Sequence, residues 1–287
     1  MLRIKEQKSP LTEDLMPLDG QVKMTEEPLP SSGNHSWIIA GRKGSGKSTL
    51  LIRSIISKKS PWNAGKAFDN VFLCSQSAHR DDKFSDLVEE LEQAGHFHTT
   101  FNQQILDDII DEIKEFNDQY KEDMMEWDLH QKQDGKGYYT RVVGKTREGK
   151  DIIRKIYKKR LMPRHLLILD DVLNLLPKST QNSRINDLYT NHRHSKLSII
   201  TTTQVYNKLN TVIRRNADML SLFRTENAGE YDAMEGDWEV EKGTFRTLYD
   251  YATKAPNSFL HLQLCGPRPI FFSRFNRIRL LDGSESE

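Results

Sequence analysis

The sequence predicts an α/β domain, a mainly parallel sheet with helices on both faces. Three observations predict it. Five short apolar runs, Trp37–Ala40, Val71–Ser75, Leu166–Leu169, Leu197–Thr203 and Met219–Phe223, suit parallel strands buried on both faces, and helical stretches separate them. The first run leads into Gly41-Arg42-Lys43-Gly44-Ser45-Gly46-Lys47-Ser48 and then into an apolar helical stretch from Thr49. The third run ends in two carboxylates, Asp170 and Asp171.

Taken in order, residues 1–35 carry four of the ten prolines and many charges, so they read as an extended or disordered arm. Residues 36–280 form the main domain. Gly41–Ser48 is a complete phosphate-binding loop in its required setting, strand before and helix after. Gly41 and Gly46 let the backbone close around a phosphate. The amides from Gly41 to Thr49, with Arg42, Lys43, Gly44 and Ser45 between, face the anion. Lys47 reaches the β- and γ-phosphates, and Ser48 can ligate Mg²⁺. A nucleotide polyphosphate with Mg²⁺ is therefore the expected ligand class.

The stretch 102–160 departs from strand-helix alternation and reads as an insert. Leu106, Ile109, Ile110, Ile113, Phe116, Tyr120 and Met124 recur at helical spacing, and residues 105–128 hold ten acidic residues against two lysines. Gln133–Gly137 reads as a loop. From Arg141 to Arg160 nine Lys or Arg stand against Glu148 and Asp151. Such a run is either a solvated surface or a face for phosphates, and Arg154 to Arg160 is the candidate for the latter.

His165–Asp170 supplies the second half of the site. Asp170 can hold the Mg²⁺ shell beside Ser48. Asp171 can take a proton from the attacking water, or else cap a helix over Val172–Leu176. The next strand ends at Gln204, placed to sense the γ-phosphate or to be an ordinary loop residue. His192 and His194, with no cysteine nearby, are weak grounds for a metal site. Phe259–Leu264 and Ile270–Phe275 flank a Gly-Pro turn and predict a C-terminal antiparallel hairpin. Residues 281–287 read as a solvated tail.

Bulk properties set limits. The 287 residues are 36% apolar and 29% charged, with net charge +1, so nucleic-acid binding must come from local patches. The two cysteines, Cys74 and Cys265, lie in apolar runs and read as buried thiols of a reducing compartment. No run approaches the ~20 apolar residues of a membrane span.

The phosphate loop, Leu166–Asp171, Arg193–Gln204 and Ile213-Arg214-Arg215-Asn216-Ala217-Asp218 together resemble the FtsK/HerA-type DNA-pumping ATPases. Within them the chain looks most like the genome-packaging ATPases of large eukaryotic DNA viruses. The resemblance covers roughly residues 35–280 and is specific from 165 to 225. It implies a RecA-like P-loop NTPase core and an ATP-hydrolysing motor for double-stranded DNA. It also implies a ring-shaped homo-oligomer, pentamer or hexamer, with capsid or portal vertex proteins as partners. The setting would be the host cell cytoplasm, a viral assembly site or the virion. Lys47 and Ser48 match the nucleotide and Mg²⁺ positions, Asp170 the metal carboxylate, and Gln204 the γ-phosphate sensor. Asp171 stands where many relatives have Glu. Arg193 matches the position that reaches a neighbouring subunit's site, with Arg214 and Arg215 as weaker candidates. The competing expectations are a small-molecule kinase and a nucleotide-gated scaffold without turnover.

Overall fold

A computed structural model describes residues 27–279 except 32, 135–138, 146–149, 157–161, 176–183, 239–240, 242 and 267. The sheet has nine strands in the order β11-β10-β9-β8-β1-β7-β6-β2-β3. Its centre is parallel: β8 (Met219–Phe223), β1 (Ser36–Ala40), β7 (Leu197–Thr203), β6 (His165–Asp170) and β2 (Asn70–Ser75). These are the five runs read from the sequence. A short strand, β3 (Phe97–His98), extends one edge in parallel with β2. On the other side β9 (Phe259–Gln263) pairs antiparallel with β8, followed by β10 (Ile270–Ser273) and β11 (Asn276–Ile278). The expected C-terminal hairpin is thus fused to the main sheet.

Side chains alternate along each strand, so each strand feeds two cores. Trp37 and Ile39 pack with Leu51, Ile52 and Ile55 of α1 (Lys47–Ile56). Leu87, Val88 and Leu91 of α3 (Ser85–Ala94) join that face, after a short α2 (Ala64–Ala67). Ile38 and Ala40 point the other way. That face is covered by α4 (Gln103–Asp134), α5 (Asn186–Asn191), α6 (Thr211–Arg215), α7 (Ala228–Trp238) and α8 (Thr244–Ala252). Helices on both faces explain why the strands read as continuous apolar runs.

The stretch 102–160 divides in two. Leu106, Ile109 and Ile113 of α4 join the same core as Phe72, Cys74, Leu167 and Leu169, so this half covers the sheet. Asn117 ties α4 to the turn before β7, donating from Nδ2 to the Ser195 carbonyl at 3.0 Å. Beyond α4, β4 (Tyr139–Lys145) and β5 (Asp151–Ile156) form an antiparallel hairpin. The sequence reading had only a loop and a basic segment there. Arg154 and Lys155 stand on β5. Lys158, Lys159 and Arg160 lie outside the described residues, as do the arm up to residue 26 and the tail 280–287. No helix among the described residues is long and apolar enough to cross a membrane.

One buried relay fastens the segment before β1 onto the sheet. Trp37 Nε1 donates to Ser221 Oγ at 3.0 Å, and Ser221 Oγ lies 2.9 Å from His261 Nδ1. His261 Nε2 lies 2.7 Å from the Pro28 carbonyl. Nε2–H must donate to that carbonyl, and a ring kept neutral by burial then accepts at Nδ1 from the Ser221 hydroxyl. Burial pushes the His261 pKa down to about 4. The native ring resists a proton that the unfolded chain accepts near 6.5, so stability is full above pH 6.5 and falls as pH drops toward 4. His261→Gln should flatten this acid limb of the melting-temperature profile, which scanning fluorimetry across pH 4–7 would read. An unchanged acid limb would contradict the neutral-ring assignment.

Candidate active site

Gly41–Ser48 joins β1 to α1, as the motif requires. Gly44 and Gly46 have φ of +78° and +104°, a region L side chains rarely adopt. Gly41 also has no room for a side chain. A Cβ there would lie 2.6 Å from Phe223 Cβ and 2.8 Å from Ser45 Oγ. The position is small so that the loop can rest on the end of β8. The Gly41 amide donates to the Thr203 carbonyl at 3.0 Å, which ties the loop to β7 as well. Gly46 is the N-cap of α1, offers no side chain to the first amides, and no acid stands in that turn. These donors suit an anion.

Lys47 is buried. Its Nζ donates to the carbonyls of Gly41 at 2.6 Å and Arg42 at 3.3 Å. Burial lowers its pKa, while Asp171 and then Asp170 pull it back up. The ammonium and both carboxylates therefore share one site. Ser48 and Thr49 are half-buried in the first turn of α1, and Arg42, Lys43 and Gly44 are exposed. Ser45 Oγ is buried with no hydrogen-bond partner among the described residues.

Asp170 ends β6 between two hydroxyls that are its register partners, Ser75 on β2 and Thr202 on β7. Ser75 Oγ donates to Oδ2 at 2.7 Å and Thr202 Oγ1 to Oδ1 at 2.7 Å. Burial raises the Asp170 pKa; the bonds from Thr202 and Ser75, and the charge of Lys47, oppose the rise. Neither hydroxyl stood out in the sequence, although Ser75 and Thr202 close apolar strands on either side of the acidic one.

Asp171 has φ of 54°, a left-handed conformation costly for a residue with a Cβ. Its amide donates to Thr202 Oγ1 at 3.1 Å, and its Oδ2 accepts from Gln204 Nε2 at 3.0 Å. Oδ1 is buried with no hydrogen-bond partner among the described residues. A short 3₁₀ turn, Leu173–Leu175, follows. The loop after Gln204 is fixed from behind. Glu230 of α7 accepts from the Tyr206 amide at 2.5 Å and from Thr225 Oγ1 at 2.6 Å. Lys47, Asp170, Asp171 and Gln204 thus meet at the same ends of three adjacent strands.

Arg193 does not join them. It lies in the turn before β7, at the opposite end of the strands, and its guanidinium bonds the Asp218 carboxylate. Asp218 also accepts from the Ser36 amide at 2.8 Å, where β1 begins. His192, next to Arg193, is 2.8 Å from the Leu197 carbonyl through Nδ1 and packs against Asp218. Cys265, half-buried at the same cluster, has its thiol pushed up to about 12 by burial. Arg214 is paired internally, 2.8 Å from Asp237 and stacked over the Tyr206 ring, while Arg215 is exposed.

A cleft of about 1610 Å³ opens from the loop. It starts at Gly44, Gly46, Lys47, Ser48 and Thr49 and runs along α1 to Arg53 and Ser57. Its far wall comes from Asn257 and from the β10–β11 turn, Arg274 and Phe275. These residues carry no motif and were not singled out in the sequence.

The model of the family described as zonular occludens toxin (Zot) matches residues 109–250. Among curated proteins, none matches the chain in sequence. Solved structures similar to it include the genome packaging NTPase B204 from Sulfolobus turreted icosahedral virus 2 in complex with AMPPCP. That pair shares 16% identity over 83% of this chain and 96% of that one, with a TM-score of 0.46. The pCW3 conjugation coupling protein TcpA is 13% identical over 90% of this chain and 68% of that one, TM-score 0.44. EssC (ATPases 2 and 3) from Geobacillus thermodenitrificans is 13% identical over 88% and 41%, TM-score 0.46. The architecture is the α/β one expected from the sequence, a largely parallel sheet with helices on both faces and the phosphate loop between β1 and α1.

Proposed function

We propose that the chain hydrolyses ATP to move double-stranded DNA into a viral capsid. The observation that carries the ATPase half is the meeting of Lys47, Asp170, Asp171 and Gln204 beside one phosphate loop. The DNA half is supported by the resemblance over residues 165–225.

The loop amides and Lys47 bind the β- and γ-phosphates. Ser48 and Asp170 fit a hard divalent cation: both offer oxygen, and Asp170 is held in place by Ser75 and Thr202. Mg²⁺ held there by Ser48 and Asp170 would neutralise charge on the phosphate oxygens. Asp171 accepts the proton of the attacking water at Oδ1, which has no hydrogen-bond partner among the described residues. Gln204 Nε2 fixes the other oxygen and leaves its own carbonyl to orient the water. Arg193 cannot serve its own site from the far end of the strands. In a pentameric or hexameric ring it serves the neighbour's, where its charge stabilises the transferring phosphoryl group. The basic segment Arg154-Lys155 through Lys158-Lys159-Arg160 holds DNA phosphates without reading bases, as a motor for any sequence must. Capsid or portal vertex proteins receive the DNA, in the host cytoplasm or at an assembly site.

The test is ATP turnover by purified protein with and without duplex DNA. Stimulation by duplexes of unrelated sequence is expected. Binding of ATP with no hydrolysis in either condition would leave a nucleotide-gated scaffold. Turnover that rises with a small phosphoryl acceptor and ignores DNA would make the protein a kinase.

A further inference from the structure

The cleft beside the loop takes no part in the chemistry above, and its walls give it a direction. Lys47 and Ser48 stand at its mouth, but Ser75, Asp170, Asp171, Thr202 and Gln204 are not among its lining. The loop therefore has two flanks. The γ-phosphate belongs on the flank with the carboxylates, so the nucleoside leaves by the other, past Gly46 and Thr49 and into the cleft.

Phe275 and Asn257 are two of the side chains that line the cleft. Phe275 is half-buried, with its ring set edge-on to Phe259 at 5.5 Å and to His261 at 5.3 Å. Arg274 presents it: the Arg274 amide donates to the Phe259 carbonyl at 2.9 Å, with φ of 55° in the turn. Asn257 adjoins the loop itself, its Cβ 3.5 Å from where a Cβ on Gly46 would stand. Asn257 and Asp171 also have φ near this value, so three of the four non-glycine residues with positive φ among the described residues border the nucleotide site. Strain of this kind collects where a ligand is held.

We propose that Phe275 and Asn257 form the nucleoside pocket of the ATP site, Phe275 stacking on the purine and Asn257 hydrogen-bonding the ribose. The inference rests on the phosphate-loop reading and goes beyond it. An aromatic platform under a base is worth about 1–3 kcal/mol, about fivefold to 150-fold in affinity.

The test is calorimetric titration of the full chain, with Mg²⁺, by ATP and separately by inorganic tripolyphosphate, which has no nucleoside. Phe275→Leu keeps apolar volume against Phe259 without the ring, and Asn257→Gly removes the amide while relaxing the positive φ. Each should weaken ATP binding about tenfold or more and leave tripolyphosphate binding unchanged, while Phe275→Trp retains ATP binding. Unchanged ATP affinity in both variants, or equal loss of both ligands in both, would overturn the pocket. A wild-type chain that binds neither ligand would instead overturn the phosphate-loop reading, and the pocket with it.

Discussion

Lys47→Ala should abolish ATP turnover and weaken nucleotide binding by about 10²-fold or more, read by titration and by phosphate release. The expectation follows from where the ammonium is held. It is buried among the loop carbonyls and faces two carboxylates, so its charge acts in a medium that screens little. Without it, a triphosphate would meet Asp170 and Asp171 with one positive charge fewer. The fold should survive, because the Lys47 bonds are internal to the loop. A variant with wild-type turnover would show that the phosphates lie elsewhere.

Arg193→Ala should bind ATP nearly as well as the native chain yet lose hydrolysis by about 10³-fold or more. Asp171→Asn should also bind and lose about 10²–10⁴-fold, since the amide cannot take the water's proton. Mixing the two variants should restore turnover. An interface whose pocket comes from an Arg193→Ala subunit and whose arginine comes from an Asp171→Asn subunit is complete. The geometry motivates this directly. Arg193 is at the wrong end of the strands for its own pocket, yet 38% of its side chain is exposed and its head is pinned by a carboxylate that is 4% exposed. Absence of rescue at every mixing ratio would count against a shared site.

Much of this was legible in the sequence for physical reasons. Strands buried on both faces leave continuous apolar runs, and all five central strands were visible that way. Phosphate chemistry needs glycines, a lysine and a hydroxyl at fixed spacing, so the loop announced itself. What stayed hidden depends on pairing between distant segments. Ser75 and Thr202 acquire meaning only when the register sets them on either side of Asp170. Gly41 has a second reason to be small, Phe223 lying behind it, which the motif does not encode. Asn257 and Phe275 come from a C-terminal segment whose return to the loop no local pattern encodes. The β4–β5 hairpin was read as a basic segment because its charges dominate any strand alternation.

The most direct measurement is particle imaging of the full chain with a slowly hydrolysed ATP analogue, Mg²⁺ and duplex DNA. A closed ring is expected, with each triphosphate between Lys47, Asp171 and Gln204 of one subunit and Arg193 of the next. A monomer with occupied nucleotide sites, or a ring in which Arg193 faces away from every phosphate, would contradict it.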